Sequence, residues 1–235
     1  MNGAAAMLAV GPALALGSFL NVVAVRVPAR RSIVRPPSAC GGCGEEIGWR
    51  DNIPVLSYLL LRGRCRHCGV RISPVYPLLE AGTAALVAAC FAVFGPTPYA
   101  ALAAGFCAVL LTLAVIDARH RIIPNRIVLP AAGVALVAHT LLDPSLEWAA
   151  AALGAAAFLF AVVLAYPKGL GMGDVKLALL LGAVLGGSVT VALMLGFFAA
   201  LVPAALLLAR HGAEARKLGV PLAPFLALGS LVALF

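Results

Sequence analysis

The feature that most constrains this chain is a succession of apolar runs, most of them close to 20 residues long and free of Lys and Arg. A run of that length matches the hydrocarbon thickness of a bilayer. Within lipid every backbone N–H and C=O must be satisfied inside the segment, which selects the α-helix. The runs predict helices over 4–25, 75–94, 99–116, 127–142, 147–166, 173–186, 188–209 and 221–235. Composition agrees: 63% of the 235 residues are hydrophobic and 11% charged, with a mean hydropathy of +1.06, beyond what a soluble domain carries. The expected fold class is therefore all-α, a polytopic membrane helix bundle of about eight spans with the lipid bilayer around it. The first run is read as a retained span, because residues 1–25 carry no basic n-region and Arg26 follows the apolar stretch.

Basic residues of membrane proteins gather in cytoplasmic loops. With the N-terminus outside, the inward loops are 26–74, 117–126, 167–174 and 210–220. Nine Arg fall in the first, Arg119, Arg121 and Arg126 in the second, Lys168 and nearby Lys176 at the third, and Arg210, Arg216 and Lys217 at the fourth. The outward loops, Gly95–Pro98, Asp143–Glu147 and Gly186–Ser188, hold none of the 17 basic residues. Both termini are thus expected outside. The net charge of +8 then needs only an anionic inner leaflet, and nucleic acid is not an expected partner. Nothing in the sequence specifies an oligomeric state.

The one long loop divides the chain into a first helix (1–25), a cysteine-bearing cytoplasmic domain (26–74) and a helical domain (75–235). In that loop Cys40-Gly41-Gly42-Cys43-Gly44 and Cys65-Arg66-His67-Cys68-Gly69 form two C-x-x-C-G knuckles. Two residues between cysteines let one tight turn aim both sulfurs at a single ion, and the glycine that follows lets the backbone turn sharply. Four thiolates make a closed tetrahedral site for structural Zn²⁺, a small zinc-knuckle domain. A reducing compartment disfavours disulfides, leaving a redox dithiol or a site that holds no metal as the other readings. His67 is expected to be solvated, and Cys90 and Cys107, within spans, to be packing residues.

Two aspartates stand at the predicted cytoplasmic edge: Asp117, closing the third span, and Asp174, opening the sixth in Gly171-Met172-Gly173-Asp174-Val175-Lys176. Ionisable residues near hydrocarbon are costly and face a bundle interior or a wet cavity. Two carboxylates brought together share a proton, the state in which one activates water and the other protonates a carbonyl. Gly171 and Gly173 would let a substrate backbone approach Asp174. The competing reading pairs each acid with a neighbouring base at the interface, Arg119 or Lys176. Lys176 either tunes Asp174 or follows the basic bias of inner loops. Glu80 is expected to pair with Arg71 or a neighbour, the alternative being a polar contact with substrate or with the cytoplasmic domain. Asn21 and His139 are expected to make interhelical hydrogen bonds.

The order of these elements resembles the bacterial type IV prepilin peptidases, the leader peptidase and N-methyltransferase enzymes of pilus and type II secretion systems. The likeness runs through Gly17-Ser18-Phe19-Leu20-Asn21 with Arg26 and Pro28, the paired knuckles, Tyr76-Pro77-Leu78-Leu79-Glu80, Asp117 with Ile123-Pro124-Asn125, the G-x-G-D element at Asp174, and Pro221 to Gly229. It implies catalytic roles for Asp117 and Asp174, metal binding by Cys40, Cys43, Cys65 and Cys68, and a methylation-linked role for Gly63. It further implies prepilin leader sequences as substrates, S-adenosylmethionine as methyl donor, and a multi-pass location in the inner membrane with the cysteine loop cytoplasmic. The family pattern near the end is Pro-x-Gly-Pro-Phe, whereas this chain reads Pro221-Leu222-Ala223-Pro224-Phe225, so a role there that needs a flexible glycine is not implied. A peptidase without methyl transfer, or a transporter or assembly scaffold, are the rival functions.

Overall fold

The computed structural model describes residues 2–167, 169–212 and 219–235. Lys168, Arg216 and Lys217 of the charge pattern lie outside the described residues. The elements are helices α1 Asn2–Arg26, α2 Leu56–Leu60, α3 Val75–Phe94, α4 Pro98–His120, α5 Asn125–Leu142, α6 Glu147–Ala165, α7 Met172–Leu185, α8 Val189–His211 and α9 Ala223–Leu234. Two 3-10 turns, Trp49–Asp51 and Gly186–Ser188, complete them. The fold is all-α: among the described residues β-structure is limited to two isolated bridges, Ala39 with Glu46 and Arg64 with Arg71.

Every apolar run became a helix, with ends displaced by a few residues. Six stretches among the described residues are long and apolar enough to cross a bilayer. There α7 and most of α8 count together as one stretch of 39 residues, and α9, at 12 residues, is shorter than a usual span. The third run extends one turn beyond its apolar part, so Asp117 lies inside α4 and does not close it. Arg119 and His120 suit the negative end of the helix dipole. The helix stops where Arg121 turns to φ +54° and its N–H reaches the Asp117 carbonyl at 2.8 Å.

The chain forms two compact units, 1–112 and 113–235, the division falling within α4. In the first, α1 packs along α3 at very short range. A Cβ on Gly17 would lie 2.7 Å from the Glu80 Cα, so only glycine permits the approach, as in small-residue contacts between membrane helices. Asn21, buried, donates from Nδ2 to the Tyr76 carbonyl at 3.1 Å and to Glu80 Oε1 at 3.3 Å, the interhelical bonds expected of it. Cys90 and Cys107 are fully buried with sulfurs 3.8 Å apart.

In the second unit α7 is the central helix, nine of its fourteen residues buried, which fits a helix apolar all round. It packs against α5 and α6. Gly182 lies on the α6 backbone, where an added Cβ would overlap Ala151 and Ala152. Gly196 of α8 and Gly229 of α9 sit against one another in the same way. His139 stacks on Trp148 with ring centroids 4.1 Å apart.

Candidate functional site

In the second unit the two predicted aspartates line one cavity of about 1030 Å³. Asp117 is brought there by the last turns of α4 and is 6% exposed. Its Oδ2 accepts the Ala223 N–H at 3.0 Å, a first-turn amide of α9 that helix geometry leaves without a helical partner. Asp174 is the third residue of α7. Its Oδ2 accepts the N–H of Gly171, which immediately precedes the helix, at 3.1 Å, as an acidic residue at this position commonly does. Each carboxylate is therefore oriented by a backbone amide, and Asp174 feels the charge of Asp117. The rest of the wall is largely apolar, with Phe158, Leu193, Met194 and Phe197. Such surroundings keep charge interactions strong by excluding water.

The glycines of the G-x-G-D element divide their work. Gly171 lines the cavity, whereas a Cβ on Gly173 would come within 3.2 Å of Ile123, so that glycine serves the approach of α7 to the segment before α5. Lys176 reaches Asn125 Oδ1 with its Nζ at 2.8 Å, joining the starts of α5 and α7. Two features escaped the sequence. Arg121 lines the cavity, and the amide of Ala223 fixes Asp117. A backbone donor leaves no trace in residue type, which also explains why alanine serves where the family pattern has glycine: Ala223 is 1% exposed and begins a helix, so the position needs its N–H and a small side chain.

In the first unit the two knuckles repeat one another. Cys40 N–H bonds Glu45 O at 2.8 Å and Gly44 N–H bonds Cys40 O at 2.9 Å; Cys65 N–H bonds Val70 O at 2.9 Å and Gly69 N–H bonds Cys65 O at 3.0 Å. Gly44 and Gly69 hold φ of +75° and +71°, the left-handed turn that glycine takes without steric cost. The sulfurs of Cys40, Cys43, Cys65 and Cys68 all lie within 4.8 Å of one another, and Cys40 and Cys68 are 3.7 Å apart. Four sulfurs at the usual Zn–S distance of about 2.3 Å are roughly 3.8 Å apart along each edge, so this donor set fits a tetrahedral metal ion. His67 is exposed and outside the cluster.

Electrostatics in the cluster point the same way. Amides of Cys43 and Gly42 pull the Cys40 thiol down to about 6. Cys43 also accepts from the Glu45 amide, which lowers it, but desolvation and the neighbouring sulfurs push it up to about 11. The lowered Cys40 thiol thus helps hold the proton on Cys43, and metal ligation, which needs thiolates, would release it. The loop is closed by Arg66, whose guanidinium grips Asp51 at 2.6 Å and, through that hydrogen bond, holds its carboxyl below the usual range.

Glu80 corrects an expectation. It is 8% exposed and does not pair with Arg71: among the described residues the one ion pair is Arg66 with Asp51. Its Oε2 accepts the Val55 N–H at 2.7 Å, and Oε1 the Asn21 amide. The contact is with loop 26–74, the alternative reading of that residue. Gly63 stands at φ +66°, where a Cβ would lie 2.9 Å from the Tyr58 ring.

With this geometry in view, the chain matches two family models, the Bacterial Peptidase A24 N-terminal domain over residues 12–94 and the Type IV leader peptidase family over residues 104–209. It is similar to prepilin leader peptidase/N-methyltransferases: that of Burkholderia pseudomallei, 34% identical over 94% of this chain and 82% of the relative, that of Bacillus subtilis, 39% identical over 94% and 90%, and that of Pseudomonas aeruginosa, 32% identical over 94% and 87%. No solved structure matches. The chain belongs to the type IV leader peptidase family. It is accordingly a membrane-embedded peptidase that crosses the bilayer several times.

Proposed function

We propose that this protein removes the N-terminal leader of prepilin-like substrates with Asp117 and Asp174 as a catalytic pair, and then methylates the new N-terminus from S-adenosylmethionine. The observation that carries the proposal is that two acids far apart in the chain line one cavity, each with Oδ2 fixed by a backbone amide. With one carboxylate ionised and one protonated, the ionised group takes a proton from water as the water oxygen bonds to the scissile carbonyl carbon. The protonated group gives its proton to the carbonyl oxygen. Collapse of the tetrahedral centre breaks the C–N bond, and the leaving nitrogen takes a proton from the pair. S-adenosylmethionine, when bound, would supply an electrophilic methyl group to the freed amine.

The same proposal gives Cys40, Cys43, Cys65 and Cys68 to a structural Zn²⁺, with loop 26–74 as a cytoplasmic domain. The basic loops support an inner position for that domain and an outer one for both termini. The test is the purified protein reconstituted in lipid with a prepilin and S-adenosylmethionine, followed by intact-mass measurement of the product. Loss of the leader and gain of one methyl group are expected. An uncut substrate contradicts the peptidase assignment, and a cut but unmethylated one contradicts the methyltransferase assignment alone.

A further inference from the structure

In the first unit the short helix α2 is built with its polarity reversed. Ser57 is buried, its Oγ donating to the Arg50 carbonyl at 2.9 Å and accepting the Ile53 N–H at 3.0 Å. Leu59 and Leu60 are 64% and 72% exposed, Leu56 is exposed beside them, and Trp49, shortly before the helix, is 75% exposed. A helix on a water-facing domain does the opposite, burying its leucines and leaving its serine in solvent. The two sets face different surroundings. Val55, Ser57, Tyr58 and Leu61 line an internal cavity of about 550 Å³, and Trp49, Leu56, Leu59 and Leu60 do not.

The level of α2 is set by bonds to the membrane helices. The N–H of Val55, the residue before α2, is accepted by Glu80 Oε2 at 2.7 Å, and Glu80 Oε1 accepts from Asn21. Glu80 stands five residues after the start of α3 and Asn21 five before the end of α1, each about 7.5 Å from that helix end at 1.5 Å per residue. Helical side chains lean toward the N-terminus, which carries the Glu80 carboxylate back toward the first turn of α3. Helix α2 therefore begins beside the ends of two helices long and apolar enough to span a bilayer, where hydrocarbon gives way to headgroups. Leu78, in that first turn of α3, is exposed as well.

Charge agrees with this level. Loop 26–74 carries nine Arg against three acidic residues. Arg50 lies over the Trp49 ring, its Cζ 5.2 Å from the centroid, and Arg62 and Arg64, both exposed, follow α2 closely. Tryptophan and leucine beside arginine is the make-up of a segment that lies in a membrane interface, its apolar groups in the acyl boundary and its cations among anionic headgroups. We propose that Trp49, Leu56, Leu59 and Leu60 insert into the leaflet from which loop 26–74 emerges, seating the cysteine loop on the bilayer surface. A protein partner would account for the exposed leucines, but not for their level beside α1 and α3 or for the arginines around them.

The test uses the full chain with Trp148→Phe, which leaves Trp49 as its only tryptophan. In nanodiscs of phosphatidylcholine and phosphatidylglycerol, lipids brominated near the top of the acyl chains should quench Trp49 emission about twofold or more, while aqueous iodide barely reaches it. Leu59→Ser combined with Leu60→Ser, at equal zinc content, should lose most of the lipid quenching and gain iodide quenching. Trp49 quenched by iodide and not by bromolipid marks a solvated surface, and Trp49 reached by neither marks one covered by polypeptide. Either result overturns the proposal, as does lipid quenching that the double substitution leaves unchanged. Should Trp148→Phe fail to fold, a photoactivatable phospholipid in nanodiscs of the wild type decides: adducts between Trp49 and Leu60 are expected, and adducts confined to the long helices overturn the contact.

Discussion

Single residues carry the account where a side chain meets a backbone amide. Glu80 is the plainest case, since its Oε2 is the acceptor for the N–H of Val55, which stands at φ +62°. Removing it with Glu80→Ala leaves that donor without its partner, a cost of about 1–3 kcal/mol, expected as a lower melting temperature and faster proteolysis of loop 26–74. Lys176→Met should act differently. Its bond runs to Asn125 on the exposed side, so a loss within about 1 kcal/mol is expected from thermal melting. The acids and cysteines were legible in the sequence because their chemistry is unusual for their setting: carboxylates beside hydrocarbon, and thiols at fixed two-residue spacing. The partners of Glu80 and Asp117 were not legible, because a backbone donor from Val55 or Ala223 is identical in every residue but proline.

Among the elements, the long helices follow from hydropathy alone, and the short α2 does not, standing as it does in an Arg-rich loop with no periodicity to mark it. What hydropathy also fails to show is which helices touch. Glycine does so only once the structure is known, and Gly182 on the α6 backbone is the clearest instance. Gly182→Leu should force α6 and α7 apart, costing about 1–3 kcal/mol or more, visible as a fall in melting temperature in detergent beside an unchanged Gly154→Leu control, whose Cβ direction is open. The cysteine loop has its own test. One zinc per chain is expected by metal analysis. Cys43→Ser or Cys68→Ser should release it and open loop 26–74 to protease, because a structural zinc supplies about 10–16 kcal/mol to the domain that folds around it. Normal metal content in either variant would dissociate that cysteine from the cluster.

At the scale of the whole molecule, the distribution of charge and the two acids support the proposal that chemistry is done at the inner face of the membrane. The bias was readable because none of the 17 basic residues falls in Gly95–Pro98, Asp143–Glu147 or Gly186–Ser188; the division of the chain within α4 was not, because no break in hydropathy marks it. Protease added to sealed inside-out vesicles should cut loop 26–74, and added to right-side-out vesicles should leave it whole. The most direct measurement is leader removal from a prepilin by the wild type, Asp117→Asn and Asp174→Asn, reconstituted side by side at equal zinc content. Loss of a general acid or base predicts a fall of about two to four orders of magnitude in the cleavage rate of each variant. Cleavage at the wild-type rate by either one would contradict the paired mechanism.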